Sequence, residues 1–150
     1  MSFFGAMDIS ASGLSAQRLR MDVISENMAN INTTRTSAGG AYKRKVAVFS
    51  ERPFSALINE ENRRLAESAP NRKVYGGVKV LEIAEDDSPG PSAYDPGHPD
   101  ANADGYVAMP NVNIVVEMVD MISASRAYEA NVTAITNTKS MIAKTIELAR

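Results

Sequence analysis

Ile114-Val115-Val116-Glu117-Met118-Val119-Asp120-Met121-Ile122-Ser123-Ala124-Ser125-Arg126-Ala127-Tyr128 begins a periodic apolar pattern that runs on to Arg150. Stepping by four and three from Ile114 gives Met118, Met121, Ser125, Tyr128, Val132, Ile135, Lys139, Ile142, Ile146 and Ala149. Most of these are large and apolar, and the spacing is that of one face of an α-helix. No glycine or proline interrupts Asn111 to Arg150. Pro110 cannot continue the helix backward without losing a hydrogen bond, and Asn111 or Asn113 is available as its cap. At ~1.5 Å per residue the helix is on the order of 55 Å long. Val115, Val119 and Ile122 widen its apolar face near the start.

A second helix is predicted from about Ala6 to Ile31. Met7, Leu14, Met21 and Met28 fall seven residues apart, and Ile24 and Ile31 fill the companion positions three residues later. In the first half those companions are Ser10 and Gln17, so the stripe is narrow there and wider further on. Gln17, Arg18, Arg20, Asp22 and Glu26 make the polar flank of an amphipathic helix roughly 39 Å long. Gly13 costs about 1 kcal/mol relative to alanine inside a helix, which implies close helix packing or a local break.

The middle has a different character. All seven prolines lie between Pro53 and Pro110, and seven of the nine glycines between Gly39 and Gly105. Alternation in Tyr42–Phe49 and in Gly77–Ile83 predicts two strands, with Gly105–Met109 as a short third. Ser55 to Ala69 is charged and reads equally as a short helix or a loop. Asp86–Pro91 and Asp95–Pro99 carry turn and linker chemistry. The predicted fold class is mainly α with a small β-containing middle: long N- and C-terminal helices, and a β-hairpin or extended segment between them. The corresponding domains are 1–36 plus 110–150, a discontinuous terminal-helix unit, and 37–109, a β- and loop-rich segment in which 55–72 stays unassigned.

Composition narrows the chemistry. The 150 residues (16.1 kDa) are 44% hydrophobic and 23% charged, close to an average soluble domain. A net charge of −2 argues against a nucleic-acid partner, which calls for a basic excess. Lys43-Arg44-Lys45 does not change this, because alternate strand residues face opposite ways. With no cysteine, no tryptophan and one histidine, His98, thiolate sites and histidine clusters are excluded. His98 sits between Gly97 and Pro99 near Ser92, Asp95 and Asp100, a poor place to hold a base against a nucleophile. Asp100, Asn102, Asp104 and Gly105 reproduce half of a calcium loop. Asn111 stands where the bidentate glutamate belongs, so an Asx-rich turn before a strand is the expectation. The reading is a scaffold with no catalytic residue, cofactor or metal. No stretch approaches the ~20 apolar residues that cross a bilayer, so direct membrane insertion is not expected. The first residues lack a signal-peptide pattern, which fits either a cytosolic protein or one exported without cleavage.

Two amphipathic helices of this length raise a burial problem. One helix pair hides one stripe on each, and Val115, Val119, Ile122, Met141 and Leu148 are left over. Met7, Met21, Met28, Met118, Met121 and Met141 supply side chains that adapt to irregular interfaces. Partner chains that complete the cover are one solution; an ordinary helical hairpin folded on itself is the other, and periodicity alone allows both.

Ile9-Ser10-Ala11-Ser12-Gly13-Leu14-Ser15-Ala16-Gln17-Arg18-Leu19-Arg20-Met21-Asp22, with Asn27-Met28-Ala29-Asn30-Ile31-Asn32-Thr33-Thr34-Arg35-Thr36 beyond it, resembles the N-terminal signature of bacterial flagellar rod and hook proteins. Gly39–Arg44 is similar to the family's next segment. Tyr106–Val112 and Glu117–Asn131 resemble the C-terminal signature, and the short length with Tyr94–Ala101 is most similar to the proximal rod members. The resemblance implies a non-enzymatic subunit of the flagellar basal body, in the rod that spans the periplasm. It implies export through the flagellar type III apparatus and helical assembly with other rod subunits and with itself. It also implies that the terminal helices pair as an inner, coiled-coil-like domain around the export channel. On that reading Met7, Leu14, Met21, Ile24 and Met28 pack against Met118, Met121, Tyr128, Val132, Ile135 and Ile142, knobs into holes, and a non-closing head-to-tail contact propagates the array. Asn27, Asn30 and Asn32 either bond the turn, helped by asparagine's tolerance of left-handed backbone, or merely stop the helix. Arg126 pairs with a carboxylate across a contact or stays exposed, and Asn131 belongs to the C-terminal motif. Another axial protein of the same family, or in a separate class a helical adaptor that binds partner helices, remain the alternatives.

Overall fold

A computed structural model of the chain describes residues 3–37, 39–53 and 75–148. The elements are α1 (Phe3–Ala29), β1 (Lys45–Pro53), β2 (Tyr75–Glu85), β3 (Ser92–Tyr94), β4 (Tyr106–Ala108) and α2 (Ile114–Leu148). Strands β1 and β2 form one two-stranded sheet, and β3 and β4 another. The fold class read from periodicity is the one observed. Ser55–Ala69 and the whole of 55–72 lie outside the described residues.

Helix α2 starts at Asn113. Its Oδ1 accepts from the Val115 N–H at 3.0 Å and the Val116 N–H at 3.4 Å, and its carbonyl accepts from the Glu117 N–H at 3.0 Å. Of the two candidate caps, Asn113 does the capping, while Asn111 bonds elsewhere. Thr133, Thr136, Thr138, Ser140 and Thr145 return their hydroxyls to carbonyls one turn back, at 2.8–3.0 Å. That lets a helix rich in threonine remain continuous to Leu148. At the end of α1, the Asn30 N–H and Nδ2 both donate to the Glu26 carbonyl, at 3.1 and 2.9 Å.

The chain forms two compact units. Among the described residues, the first comprises 3–18, 49–53, 75–81 and 125–148. Within it, a Cβ at Gly13 would lie 2.9 Å from the Asn131 Oδ1, so Gly13 marks close packing and not a break in α1. Strand β2 approaches α1 just as tightly. The Ser12 hydroxyl donates to the Ile9 carbonyl at 2.7 Å and accepts from the Val78 N–H at 3.1 Å. Gly77, at φ +111°, has no room for a Cβ beside the Ser12 hydroxyl. Glycine is required there for both reasons.

The second unit comprises 19–48 and 82–124. Val23, Ile24, Tyr42, Val107 and Ala124 are its buried apolar residues. Strands β3 and β4 pair antiparallel, Ser92 with Ala108, Ala93 with Val107 and Tyr94 with Tyr106. Val107 points inward, whereas the exposed Tyr94 and Tyr106 rings meet edge to face at 5.2 Å. Strand β3 has no counterpart in the sequence reading, because three residues between Pro91 and Pro96 are too few to show alternation.

The Gly13–Asn131 approach makes two substitutions interdependent. Alanine at Gly13 gains about 1 kcal/mol of helix propensity but meets the Asn131 amide. In an Asn131→Ala background that obstacle is gone, and the full gain is expected. Urea unfolding of the four chains measures the coupling, and strictly additive changes contradict the close approach.

Candidate functional site

The second unit is organised around polar side chains. Asn27, near the end of α1, is 1% exposed. Its Nδ2 donates to the Lys45 carbonyl at 2.8 Å and to Glu117 Oε2 at 3.1 Å. Its Oδ1 accepts from the Tyr42 hydroxyl at 3.0 Å and the Lys45 N–H at 2.9 Å. All four bonding positions of the amide are used. Glu117, in the first turn of α2, is fully buried, and its Oε1 accepts from Arg44 Nε at 2.6 Å. Arg44 Nη2 donates to Asp120 Oδ2 at 3.3 Å, and Arg20 Nη2 to Asp120 Oδ1 at 2.9 Å.

The network extends through backbone. The Arg44 N–H donates to Asn111 Oδ1 at 2.7 Å, and Asn111 Nδ2 donates to the Asp86 carbonyl at 2.8 Å and to the Ser88 hydroxyl at 3.2 Å. The Asp86 N–H donates back to the Arg44 carbonyl at 2.8 Å. The end of α1, the segment leading into β1, the turn after β2 and the start of α2 are thereby tied at one place. Charges alternate through Arg20, Asp120, Arg44 and Glu117, so the buried carboxylate has a hydrogen-bonded counter-ion. Removing one member leaves the rest desolvated and unpaired, which is the expensive case for buried charge.

Two groups at the margin titrate abnormally. Burial, reinforced by the Glu26 carboxylate, raises the Tyr42 phenol above its ordinary 10.0. Lys45 is raised above 10.5, chiefly by its hydrogen bond to Glu26 at 2.6 Å. Its ammonium also lies 5.7 Å from the centre of the Tyr42 ring. This arrangement holds a shape together; it presents no nucleophile beside a base. Among the described residues, no three His, Cys, Asp or Glu side chains converge as metal ligands.

The residues singled out from sequence differ in burial. Ile24 is buried; Met7, Leu14, Met21, Met28, Met121, Tyr128, Ile135 and Ile142 are half-buried; Met118 and Val132 are exposed. Among the described residues, the buried helix positions are Ala16, Val23, Ile24 and Asn27 on α1 and Glu117, Ala124 and Thr138 on α2. Asn30 Oδ1 accepts from the Thr33 hydroxyl at 3.1 Å, while Asn32 is exposed. Left-handed backbone is not what these asparagines provide: among the described residues, every positive φ belongs to glycine. Asn27 works by its side chain, from within the helix. Arg126 is exposed, and Asn131 is half-buried with Nδ2 donating to the Ala127 carbonyl at 2.8 Å. Asn102 Oδ1 accepts from the Asp104 and Tyr106 N–H groups at 3.0 and 2.8 Å, an Asx turn leading into β4.

Tyr42, Arg44, Glu117 and Asp120 were not singled out as site residues by sequence reasoning, while Arg20 was read only as polar flank and Asn111 only as a candidate cap. One signal was present. Glu117 and Asp120 are three apart in an otherwise apolar run, where a solvated pair would be out of place.

Residues 7–35 match the family described as "Flagella basal body rod protein", and 103–148 match "Flagellar basal body rod FlgEFG protein C-terminal". The flagellar basal-body rod protein FlgC of Bacillus subtilis is 43% identical over 156 residues, covering 100% of both chains. That of Borreliella burgdorferi is 46% identical over 145 residues, covering 94% of this chain and 93% of the relative. That of Salmonella typhimurium is 37% identical over 150 residues, covering 100% of both. The chain belongs to the FlgC family of flagellar basal-body rod proteins. It is accordingly a structural subunit of the flagellar basal-body rod. In this FlgC-family chain Arg20 and Asn27 lie inside the N-terminal match, and Glu117 and Asp120 inside the C-terminal one. The polar network joins the two matched segments.

Asn27→Ala strands the Tyr42 hydroxyl, two Lys45 backbone groups and one Glu117 oxygen. A loss of about 2–4 kcal/mol in urea unfolding is expected, and a loss near zero contradicts the network. The alkaline limb tests Tyr42 separately. Folded values above the unfolded ones mean that the stabilisation is complete below about pH 10 and is lost as pH rises through the raised values. Tyr42→Phe is expected to make that decline shallower; an unchanged slope contradicts a raised phenol.

Proposed function

We propose that this rod subunit builds a helical array in which its terminal helices, 1–36 and 110–150, form an inner domain around the export channel and 37–109 lies outside. The partners are other rod subunits and further copies of itself, and the array transmits torque. The chain reaches the rod through the flagellar type III export apparatus, and it carries out no catalysis.

One observation carries this reading: large apolar side chains of α2 lie outside while polar ones are buried. The largest fully buried side chains are Glu117, Val107 and Asn27, while Val115, Val119, Ile122, Met141, Ile146 and Leu148 are all at least half exposed. A monomeric domain does not leave large apolar faces of this kind wet. Each such side chain, already partly covered, gains about 1–2 kcal/mol when fully covered. Several together match the rigid-body penalty of association, about 4–15 kcal/mol. The Met7, Leu14, Met21, Ile24, Met28 and Met118, Met121, Tyr128, Val132, Ile135, Ile142 seams then serve packing within and between subunits. Asn27, Asn30 and Asn131 fix the helices that present them, and Asn32 and Arg126 meet neighbours. No helix among the described residues is long and apolar enough to cross a membrane.

Aspartate at the exposed Val119 or Val132 is expected to leave the subunit folded and to abolish rods and swimming. Ile135→Asp, at a half-buried position, is expected to do the same with some loss of stability. Electron microscopy of basal bodies, from cells whose own subunit is deleted, provides the readout. Normal basal bodies in the Val119→Asp and Val132→Asp strains contradict the reading.

A further inference from the structure

His98, the one histidine of the chain, belongs neither to the polar network nor to the apolar faces of α2. It lies in the 95–105 connection between β3 and β4, in the second unit. From Ser92 to Asp100 every residue is exposed except His98 and Asp100, which are half-buried. Asp100 reaches the segment that leaves α1. Its Oδ2 accepts from the Thr34 hydroxyl at 2.9 Å, and its Oδ1 lies 3.8 Å from Arg35 Nη1.

The ring's hydrogen bond fixes its protonation state. His98 Nδ1 accepts from the Asp100 N–H at 3.1 Å, so the ring is neutral and carries its proton on Nε2. The surrounding backbone is closed by its own bonds. The His98 N–H donates to the Asp95 carbonyl at 3.2 Å, and the Ala101 N–H to the His98 carbonyl at 3.1 Å. A second acceptor stands near the same nitrogen: Asp100 Oδ2 is 3.9 Å from Nδ1. That is too far for a hydrogen bond, yet a shift of about 1 Å would bring it to the distance at which an imidazolium N–H meets a carboxylate.

A proton arriving at Nδ1 turns an acceptor into a donor. The Asp100 N–H then faces another N–H and loses its partner, while the carboxylate of the same residue becomes the strongest acceptor within reach. A charge-assisted bond is about twice as strong as a neutral one, so the imidazolium displaces the Thr34 hydroxyl from Oδ2. The other charged groups facing this place do not reverse the order. Asp95 Oδ1 accepts from the Gly97 N–H at 3.1 Å, and the Arg35 side chain is 80% exposed.

We propose that His98 is a proton-operated clasp. Neutral, it holds the Asp100 backbone and leaves the Asp100 carboxylate to Thr34. Protonated, it draws that carboxylate to itself and frees the 95–105 connection from the segment after α1. Histidine is the side chain whose charge ordinarily changes between about pH 5 and pH 8, so the clasp opens on mild acidification. It is internal to one copy and independent of how copies assemble.

A single histidine makes the test direct. Nuclear magnetic resonance of the isotope-labelled full chain follows the His98 ring and the Asp100 amide from about pH 8 to about pH 5. The neutral ring is expected to carry its proton on Nε2. As the ring titrates, the Asp100 amide is expected to shift with the same midpoint. Its protection from hydrogen exchange should fall about threefold to tenfold, the worth of one hydrogen bond. Nuclear Overhauser contacts between Thr34 and Asp100 are expected at the alkaline end and lost in acid. His98→Asn offers a side-chain oxygen that accepts like Nδ1 and does not titrate, and its Asp100 amide is expected to keep the alkaline behaviour throughout. A neutral ring protonated on Nδ1, an Asp100 amide unprotected at the alkaline end or indifferent to the ring, Thr34 contacts that persist in acid, or the same acid response in His98→Asn overturns the clasp.

Discussion

The fold depends on a carboxylate with no access to water. Glu117 sits in the first turn of a long helix, and an isolated charge there would be prohibitive in a low-dielectric interior. Arg44 answers the charge, Asn27 takes the second oxygen, and Asp120 with Arg20 continue the alternation outward. Arg44 and Tyr42 lie just ahead of β1, so the place where the chain leaves α1 and becomes a strand is fixed by the same bonds. A purely apolar junction would have tolerated sliding of one helix along another. Hydrogen-bonded pairs at fixed spacing define one register.

That choice explains where the apolar surface goes. On α2, polar groups and a small residue (Glu117, Ala124 and Thr138) occupy the buried positions, and the bulky valines, isoleucines and methionines are left partly or largely outside. In a domain that works alone this would invite aggregation. On the assembly proposed above it separates two tasks: polar bonds hold each copy in shape, and the oily faces are left for neighbouring subunits to cover. Gly13 against Asn131 and Gly77 against Ser12 contribute to the first task in the other unit by letting backbone elements approach closely.

Helix α2 was legible because thirty-five residues without glycine or proline leave no other reading, and α1 because Met7, Leu14, Met21 and Met28 fall seven residues apart. The strands were legible where alternation ran long enough, and β3 was not. The choice of seam was only partly legible. Counting large apolar residues picked Met118 and Val132, which are exposed, and passed over Ala16, Val23 and Ala124, which are buried. Periodicity reports which residues prefer to leave water, and two apolar faces on one helix satisfy it equally well. The network was invisible for a related reason. Its members are up to a hundred residues apart, as Arg20 and Asp120 are, and no local pattern links a glutamate in an apolar run to an arginine ahead of a strand.

A cryo-electron microscopy map of isolated rods containing this chain tests the account at its centre. Val115, Val119 and Ile122 of each copy should be covered by neighbouring subunits, with Asn27, Arg44 and Glu117 bonded to one another inside the same copy. A map in which those three apolar side chains face solvent, or in which Arg44 leaves Glu117 to pair across a subunit boundary, contradicts it.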